Sequence, residues 1–288
     1  MSFSGQPDAA DQPQSFVDIE LDSKPISAGA LEVRLAQSAA ELKASQALRY
    51  QIYVNEIGAK PTPENEAVQL DRDIYDPVCD HLLVLEKNDN GDDERVVGCY
   101  RLLRSEPMQK VGDFYTATEY DISTMRDFSG NVLEVGRSCV HADYRSRAAM
   151  QLLWRGIAAY VEKFNIDVMF GCGSLYGADL DKHKQTLAYL YHYHLAPEDI
   201  RIKALPELYN DMNIAPKDSL ESPARLFASL PPLIKGYLRL GGFIGDGAVL
   251  DPAYNTADVA VIVPTKAITD KYMDRYVSKT LQHSIRGD

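Results

Sequence analysis

Between Asn131 and Leu175 the chain runs from strand to turn to helix to strand without a break, and that unit limits the fold more than any other stretch. "NVLEVGRSCV" is an apolar run carrying Glu134 and Arg137. "AAMQLLWRGIAAYVEKF" has the pattern of a long amphipathic helix, and "IDVMFGCGSL" is a second apolar run. A strand that feeds directly into a helix start is the layout of a phosphate-cradling loop, where orphan amides and the positive end of the helix dipole hold an anion. Here the turn reads "YRSRAAM", with arginines and no glycine.

The flanking elements extend an α/β pattern. "LEVRLAQ" (Leu31 to Gln37) alternates as a half-buried strand does. Ser38, three residues before Glu41, is a capping-box start for a helix to about Ile57, with Ala44, Leu48 and Ile52 along one face and Gly58 as the stop. A long irregular segment, "AKPTPENEAVQLDRDIYDPVCD", leads to "HLLVLEK", "NDNGDD" and "RVVGCYRLL", which read as an antiparallel hairpin. Residues 104–130 predict a short helix amid loop. "PARLFASLPPLIKGYLRLG" predicts a helix interrupted at its prolines. "FIGDGAVLD" and "DVAVIVPT" end the sheet, and "ITDKYMDRYV" is a last helix. The predicted fold class is therefore α/β, a mixed twisted sheet flanked by helices on a single core over residues 27–288. An insertion falls at about 177–216, and residues 1–26 form a disordered tail that lacks the basic start and apolar centre of a secretory signal.

The formal charge of −12 argues against general affinity for nucleic acid or anionic membrane. No run approaches the ~20 apolar residues of a membrane span, so the expectation is a soluble or at most peripheral protein. Cys79, Cys99, Cys139 and Cys172 are widely spaced, make no CxxC pair and suit buried thiols in a reducing cytoplasm. His192 and His194 in "YHYH" lack the partners of a metal site, which favours structural roles and no metal.

Chemistry is concentrated in a set of charged residues within apolar surroundings. They are Arg49 with Tyr53 four residues on, Asp73 and Asp76, Arg101 in "RLL", and Glu134 with Arg137 in "EVGR". With period two, Glu134, Gly136 and Ser138 share one strand face while Val135, Arg137 and Cys139 share the other. Charges inside an apolar strand are costly unless paired or functional. Six acids between Glu64 and Asp80 face one Arg72, an acidic loop suited to a cationic substrate, unless Asp73 and Asp76 form ion pairs with Arg49 and Arg101.

These four motifs, in this order, resemble the hallmarks of the GNAT-related autoinducer synthases, with Tyr53 where that family usually has phenylalanine. Farther along, "VHADYRSRAAMQLLWRGIAAY" and "PPLIKGYLRLGGFIGDGAVLDPAYNTADVAVIV" look like the bacterial ornithine N-acyltransferases that start ornithine-lipid synthesis, so the resemblance spans about Leu31 to Lys266. It implies a GNAT acyltransferase fold and transfer of a 3-hydroxyacyl group from acyl carrier protein to the α-amine of L-ornithine, giving lyso-ornithine lipid. It also implies no tightly bound cofactor, the carrier's phosphopantetheine serving as donor arm. The alternatives are an acyl-homoserine-lactone synthase or an N-acyltransferase for another amino acid.

By that resemblance Glu134 is the base, and Arg137 either holds it or meets the acyl chain's polar end. Arg49, Tyr53, Asp73, Asp76 and Arg101 form the substrate side. Amides near Cys139 and Val140 polarise the thioester, and Arg145, Arg147 and Ala148 receive the pantetheine phosphate. Ala148 and Met150 replace the usual glycine positions, which suits one phosphodiester better than a pyrophosphate. Arg145, Arg147 and Arg155 offer a docking patch for an acidic carrier, and the product's route allows peripheral contact with a membrane.

Overall fold

The structure is a computed structural model and describes residue 21 and residues 25–87, 95–145 and 147–266. The "NDNGDD" turn and the last helix expected from the sequence lie outside the described residues, as does nearly all of the tail. In chain order the elements are β1 (Ile26–Ala28), β2 (Leu31–Leu35), α1 (Ala39–Tyr50), α2 (Pro63–Val68), β3 (Asp80–Glu86), β4 (Arg95–Arg104), α3 (Ser105–Met108), β5 (Tyr120–Asp121), α4 (Ser123–Arg126) and β6 (Asn131–Val140). They continue with α5 (Arg147–Lys163), β7 (Ile166–Tyr176), α6 (Leu180–His194), β8 (Lys203–Ala204), α7 (Pro223–Ser229), α8 (Pro232–Arg239), β9 (Phe243–Asp251) and β10 (Thr256–Pro264). No helix among the described residues is long and apolar enough to cross a membrane.

The described residues fall into two compact units, one lying within residues 1–114 and 136–157, the other within residues 115–135 and 158–288. In the first, β1, β2, β3 and β4 form an antiparallel run, with Leu31 opposite Glu86 and Asp80 opposite Leu102, and β4 neighbours β6. The expected hairpin is thus present. Ser38 caps α1 by accepting from the Glu41 amide at 3.2 Å, and the Glu41 carboxylate accepts from the Gln37 amide at 2.7 Å. The helix then widens into π-helical turns over Gln51–Glu56 and stops at Gly58, whose φ of +85° only glycine adopts without strain. Leu48 and Ile52 pack with Leu83, Leu85, Val96, Cys99 and Cys139. Ala44 does not share that face; it is exposed, because the inward stripe instead carries the polar Ser45, Gln46 and Arg49.

In the second unit β6 pairs in parallel with β7 from Asn131 to Glu134, β7 and β9 flank β10 antiparallel, and β8 and β5 extend the edge. β10 is buried along almost its whole length, as a central strand covered on both faces must be. The proline-interrupted helix resolves into α7 and α8, each with proline in its first turn. The insertion begins with α6, which packs Leu187, Ala188, Tyr189 and Leu190 inward, and also carries β8. The two histidines there take ordinary hydrogen bonds, His192 to the Ala215 carbonyl and His194 to the Tyr189 hydroxyl, both at 2.9 Å.

One close approach fixes the parallel pair. A Cβ on Gly171 would stand 2.2 Å from the Val135 carbonyl oxygen, whereas one on Gly136 would meet nothing within 4 Å. Gly171→Ala is expected to destabilise the fold by about 2 kcal/mol or more, since backbone must move, while Gly136→Ala stays within about 0.5 kcal/mol of the parent. Urea denaturation of both variants measures this.

Candidate active site

The first unit gathers all the charged residues singled out in the motifs except Glu134 into one ion cluster, together with Asp71. Arg49, 1 % exposed, projects from α1 and grips Asp76 with both terminal nitrogens, at 2.9 and 2.7 Å. Its Nε stands 2.8 Å from an Asp71 carboxylate oxygen, and it donates to the Asp71 carbonyl as well. Arg101, from β4, reaches Asp73 at 2.6 Å and Asp76 at 3.4 Å. Arg137, from β6, lies 3.5 Å from Asp71 and 3.3 Å from Asp73. Gln46 and the Asp73 amide also donate to Asp76, at 3.1 and 3.2 Å. Buried His81 places Nε2 2.9 Å from the Asp76 carbonyl.

Burial by itself would raise the Asp76 carboxyl, yet Arg49 and Arg101 hold it far below the usual carboxylate range. Asp73 is lowered in the same way, burial being outweighed by Arg101 and Arg137. For the arginines burial is likewise outweighed, by Asp76 and Asp71 at Arg49 and by Asp73 and Asp76 at Arg101, so both stay charged. The segment read as an acidic loop open to a cationic substrate is therefore neutralised from within: Asp71, Asp73 and Asp76 are bound to arginines. Glu64 and Glu66 sit in the exposed first turn of α2.

Arg137 also changes the expected geometry of β6. Its φ is +49°, in the left-handed region that non-glycine residues rarely occupy, so strict alternation does not run through the strand. The Tyr53 hydroxyl donates to the Ser138 carbonyl just beyond, at 3.1 Å. Cys139 faces Cys99 with 3.4 Å between the sulfurs, and burial pushes the Cys139 thiol well up, an environment opposed to a nucleophile. Arg145 is committed locally: Nε donates to the Val140 carbonyl at 3.0 Å and the guanidinium pairs with Glu56. Arg155 donates to the Ser27 carbonyl at 3.3 Å, and Ala148 is half-buried at the helix start. The Arg147 side chain lies outside the described atoms.

Glu134 belongs to the second unit and is 6 % exposed. Its Oε1 accepts from the Thr116 amide and hydroxyl, each at 2.6 Å, and its Oε2 accepts from the Tyr115 amide at 3.0 Å. Beyond Thr116, the Cys172 thiol donates to Glu119 at 3.4 Å. Sequence reading missed Thr116, Glu119 and Cys172 as companions of Glu134, because only the pairing of β6 with β7 and the fold of residues 115–119 bring them together. Asp71 was legible in principle, standing two residues before Asp73 in "DRD".

Residues 48–155 match the acetyltransferase (GNAT) domain family, and the described fold is that of a GNAT acyltransferase. The L-ornithine N(alpha)-acyltransferase of Rhizobium meliloti (strain 1021) is 43% identical over 249 residues, 85% of this chain and 84% of that protein. The protein of the same name from Brucella abortus (strain 2308) is 43% identical over 251 residues, 86% of this chain and 89% of that one. Among solved structures, FeeM, an N-acyl amino acid synthase from uncultured soil microbes, is 12% identical with a TM-score of 0.43, covering 82% of this chain and 91% of its own. The chain belongs to the L-ornithine N(alpha)-acyltransferase family.

Removing one partner from a buried ion pair strands the other, so Asp76→Asn is expected to cost about 3–5 kcal/mol. Depressed carboxyls bring stability that is complete above the unfolded value of about 3.9 and is lost as pH falls below it toward their folded values. Denaturation followed from pH 7 down to pH 2 should show a steep acid limb in the parent. In Asp76→Asn that limb is shallower.

Proposed function

We propose that this protein transfers a 3-hydroxyacyl group from the thioester of acyl carrier protein to the α-amine of L-ornithine, giving lyso-ornithine lipid. The observation that carries this reading is the 43% identity over some 85% of the chain to relatives named for acylating that amine. In the reaction the amine nitrogen attacks the thioester carbonyl carbon, the C–S bond breaks, the ammonium proton passes to a base and the departing thiolate takes up a proton. Glu134 is the proposed base, directly or through water. Three donors hold its carboxylate in a fixed orientation, as a positioned proton acceptor requires. Amides near Cys139 and Val140 are the proposed donors to the thioester oxygen.

The substrate-side residues inferred from the sequence divide into two roles. Arg49, Asp76 and Arg101 are buried and paired, so their proposed role is to fix the irregular segment after α2. Asp73, a quarter exposed, is the member of the cluster placed to meet substrate. For the donor, the glycine-poor start of α5, with Ala148 half-buried and Ala149 buried, supports one phosphodiester over the pyrophosphate of coenzyme A. Since Arg145 and Arg155 already have partners, the helix start itself is the proposed phosphate contact. The proposed setting is the cytoplasm, with peripheral membrane contact on product release. Tyr193 on α6, 42 % exposed, is a candidate for that contact.

Mass spectrometry of the purified chain with 3-hydroxyacyl carrier protein and L-ornithine should show N-acylornithine, at a rate well above that with the matching acyl-coenzyme A. A lactone from S-adenosylmethionine, or acylation of another amino acid in its place, would overturn the acceptor. Glu134→Gln should lower kcat about 10²-fold while the protein still melts cooperatively.

A further inference from the structure

The second unit holds another acidic cluster, which has no counterpart in the motifs read from the sequence. Glu119, Asp251 and Asp258 each present a carboxylate oxygen, all within 4.8 Å of one another. Glu119 and Asp258 are buried, while Asp251 is half-buried and uses Oδ1 to hold the Ala253 and Tyr254 amides at 2.7 and 3.0 Å. Acids alone do not make a site. Thr256 is the independent sign: it is 3 % exposed, and its hydroxyl oxygen is buried without a hydrogen-bond partner among the described residues. It lies directly opposite Asp251 across the β9–β10 pair, and two residues along β10 it shares a face with Asp258. A buried hydroxyl left without a partner costs free energy that an incoming donor or acceptor recovers.

The cluster's surroundings grade from exposed to buried. Tyr176, opposite Thr256 on β7, is 64 % exposed, whereas Asp258 and Glu119 lie deep. Burial, and after it the charges of Glu119, Asp258 and Glu134, push the Cys172 thiol well above its ordinary value. Burial, Cys172, Glu119 and Asp258 do the same to Tyr120. From Glu134 the groups run on without a gap: Thr116 bonds Glu134, Cys172 lies 4.0 Å from the Thr116 hydroxyl, and Cys172 bonds Glu119.

We propose that Glu119, Asp251 and Asp258, with Thr256, bind the side-chain ammonium of a dibasic amino-acid acceptor while its α-amine lies toward Glu134. This rests on the acyl-acceptor reading above and names the residues that set its selectivity. An –NH3+ group has three donors, and three oxygens at hydrogen-bond distance around it stand about 4.7 Å apart, a spacing this cluster accommodates.

The test compares kcat/KM for L-ornithine with that for L-norvaline, which has the same carbon chain and no δ-amine, using the full chain and 3-hydroxyacyl carrier protein. The parent should prefer ornithine, and Asp258→Asn should shrink that preference roughly 10- to 100-fold, mainly through the KM for ornithine. Thr256→Val and Asp251→Asn, milder changes, should shrink it in the same direction and keep the test open if Asp258→Asn does not fold. Equal losses for both acceptors, or a parent indifferent between them, would overturn the proposed ammonium site and leave the acyltransfer to ornithine standing. A parent that acylates neither acceptor overturns that reading and the proposed ammonium site with it. Calorimetry with Mg2+, Ca2+ and Mn2+ completes the set: tight binding of one of these ions, abolished by Asp258→Asn, would make this a metal site and overturn the proposal.

Discussion

Charge compensation around Asp76 is the constraint on which the first unit depends. Two guanidiniums, a glutamine amide and a backbone amide converge on one carboxylate that water barely reaches. Buried ion pairs of this kind contribute little net stability over well-packed apolar groups, because desolvation consumes most of the attraction. What they enforce is uniqueness. With Asp76 bound, the irregular stretch between α2 and β3 has one path, Asp71 and Asp73 arrive beside Arg49, Arg101 and Arg137, and β6 accepts the left-handed backbone at Arg137. A formal charge of −12 is thus unevenly matched: acids near arginines here are neutralised locally.

The second unit treats its acids differently. Glu134 is satisfied by amide and hydroxyl donors of residues 115–116, which stabilise a carboxylate without cancelling its charge. Cys172, Glu119, Asp251, Asp258 and Thr256 continue that polar line across β7, β9 and β10, strands that are otherwise apolar. Charges held inside a protein act on an approaching ion far more strongly than the same charges on the surface, where water screens them.

Much of this was legible beforehand, and the part that was not has a common cause. Strands β2, β3, β4, β6 and β7, the capped start of α1 and the break between α7 and α8 follow from local periodicity, a capping box and proline, all properties of adjacent residues. The π-helical turns after Tyr50 and the exposure of Ala44 were not legible, because the inward stripe of α1 carries Ser45, Gln46 and Arg49, polar groups buried only because partners await them elsewhere. The alternation assumed for β6 failed at Arg137 for a similar reason: ion pairs to Asp71 and Asp73 hold a backbone conformation that no local preference favours. Glu134, Arg137, Asp73 and Asp76 stood out as charges in apolar surroundings. Glu119, Asp251 and Asp258 did not, since they belong to no short motif and stand far apart in sequence, and only the fold, with the β9–β10 register, unites them.

The ion cluster also bears on how the chain reaches this fold. Its contacts join residues 25, 27 and 64 positions apart, drawn from α1, the irregular segment, β4 and β6. Loop-closure entropy opposes each of those meetings, and a partly assembled cluster is worse than none, because a guanidinium buried without its carboxylate forfeits its hydration for nothing. Its stabilisation therefore arrives only when all four segments have met, on the native side of the folding barrier. The cluster acts as a latch on unfolding: it slows the native chain's escape while leaving the rate of its first collapse to the apolar strands.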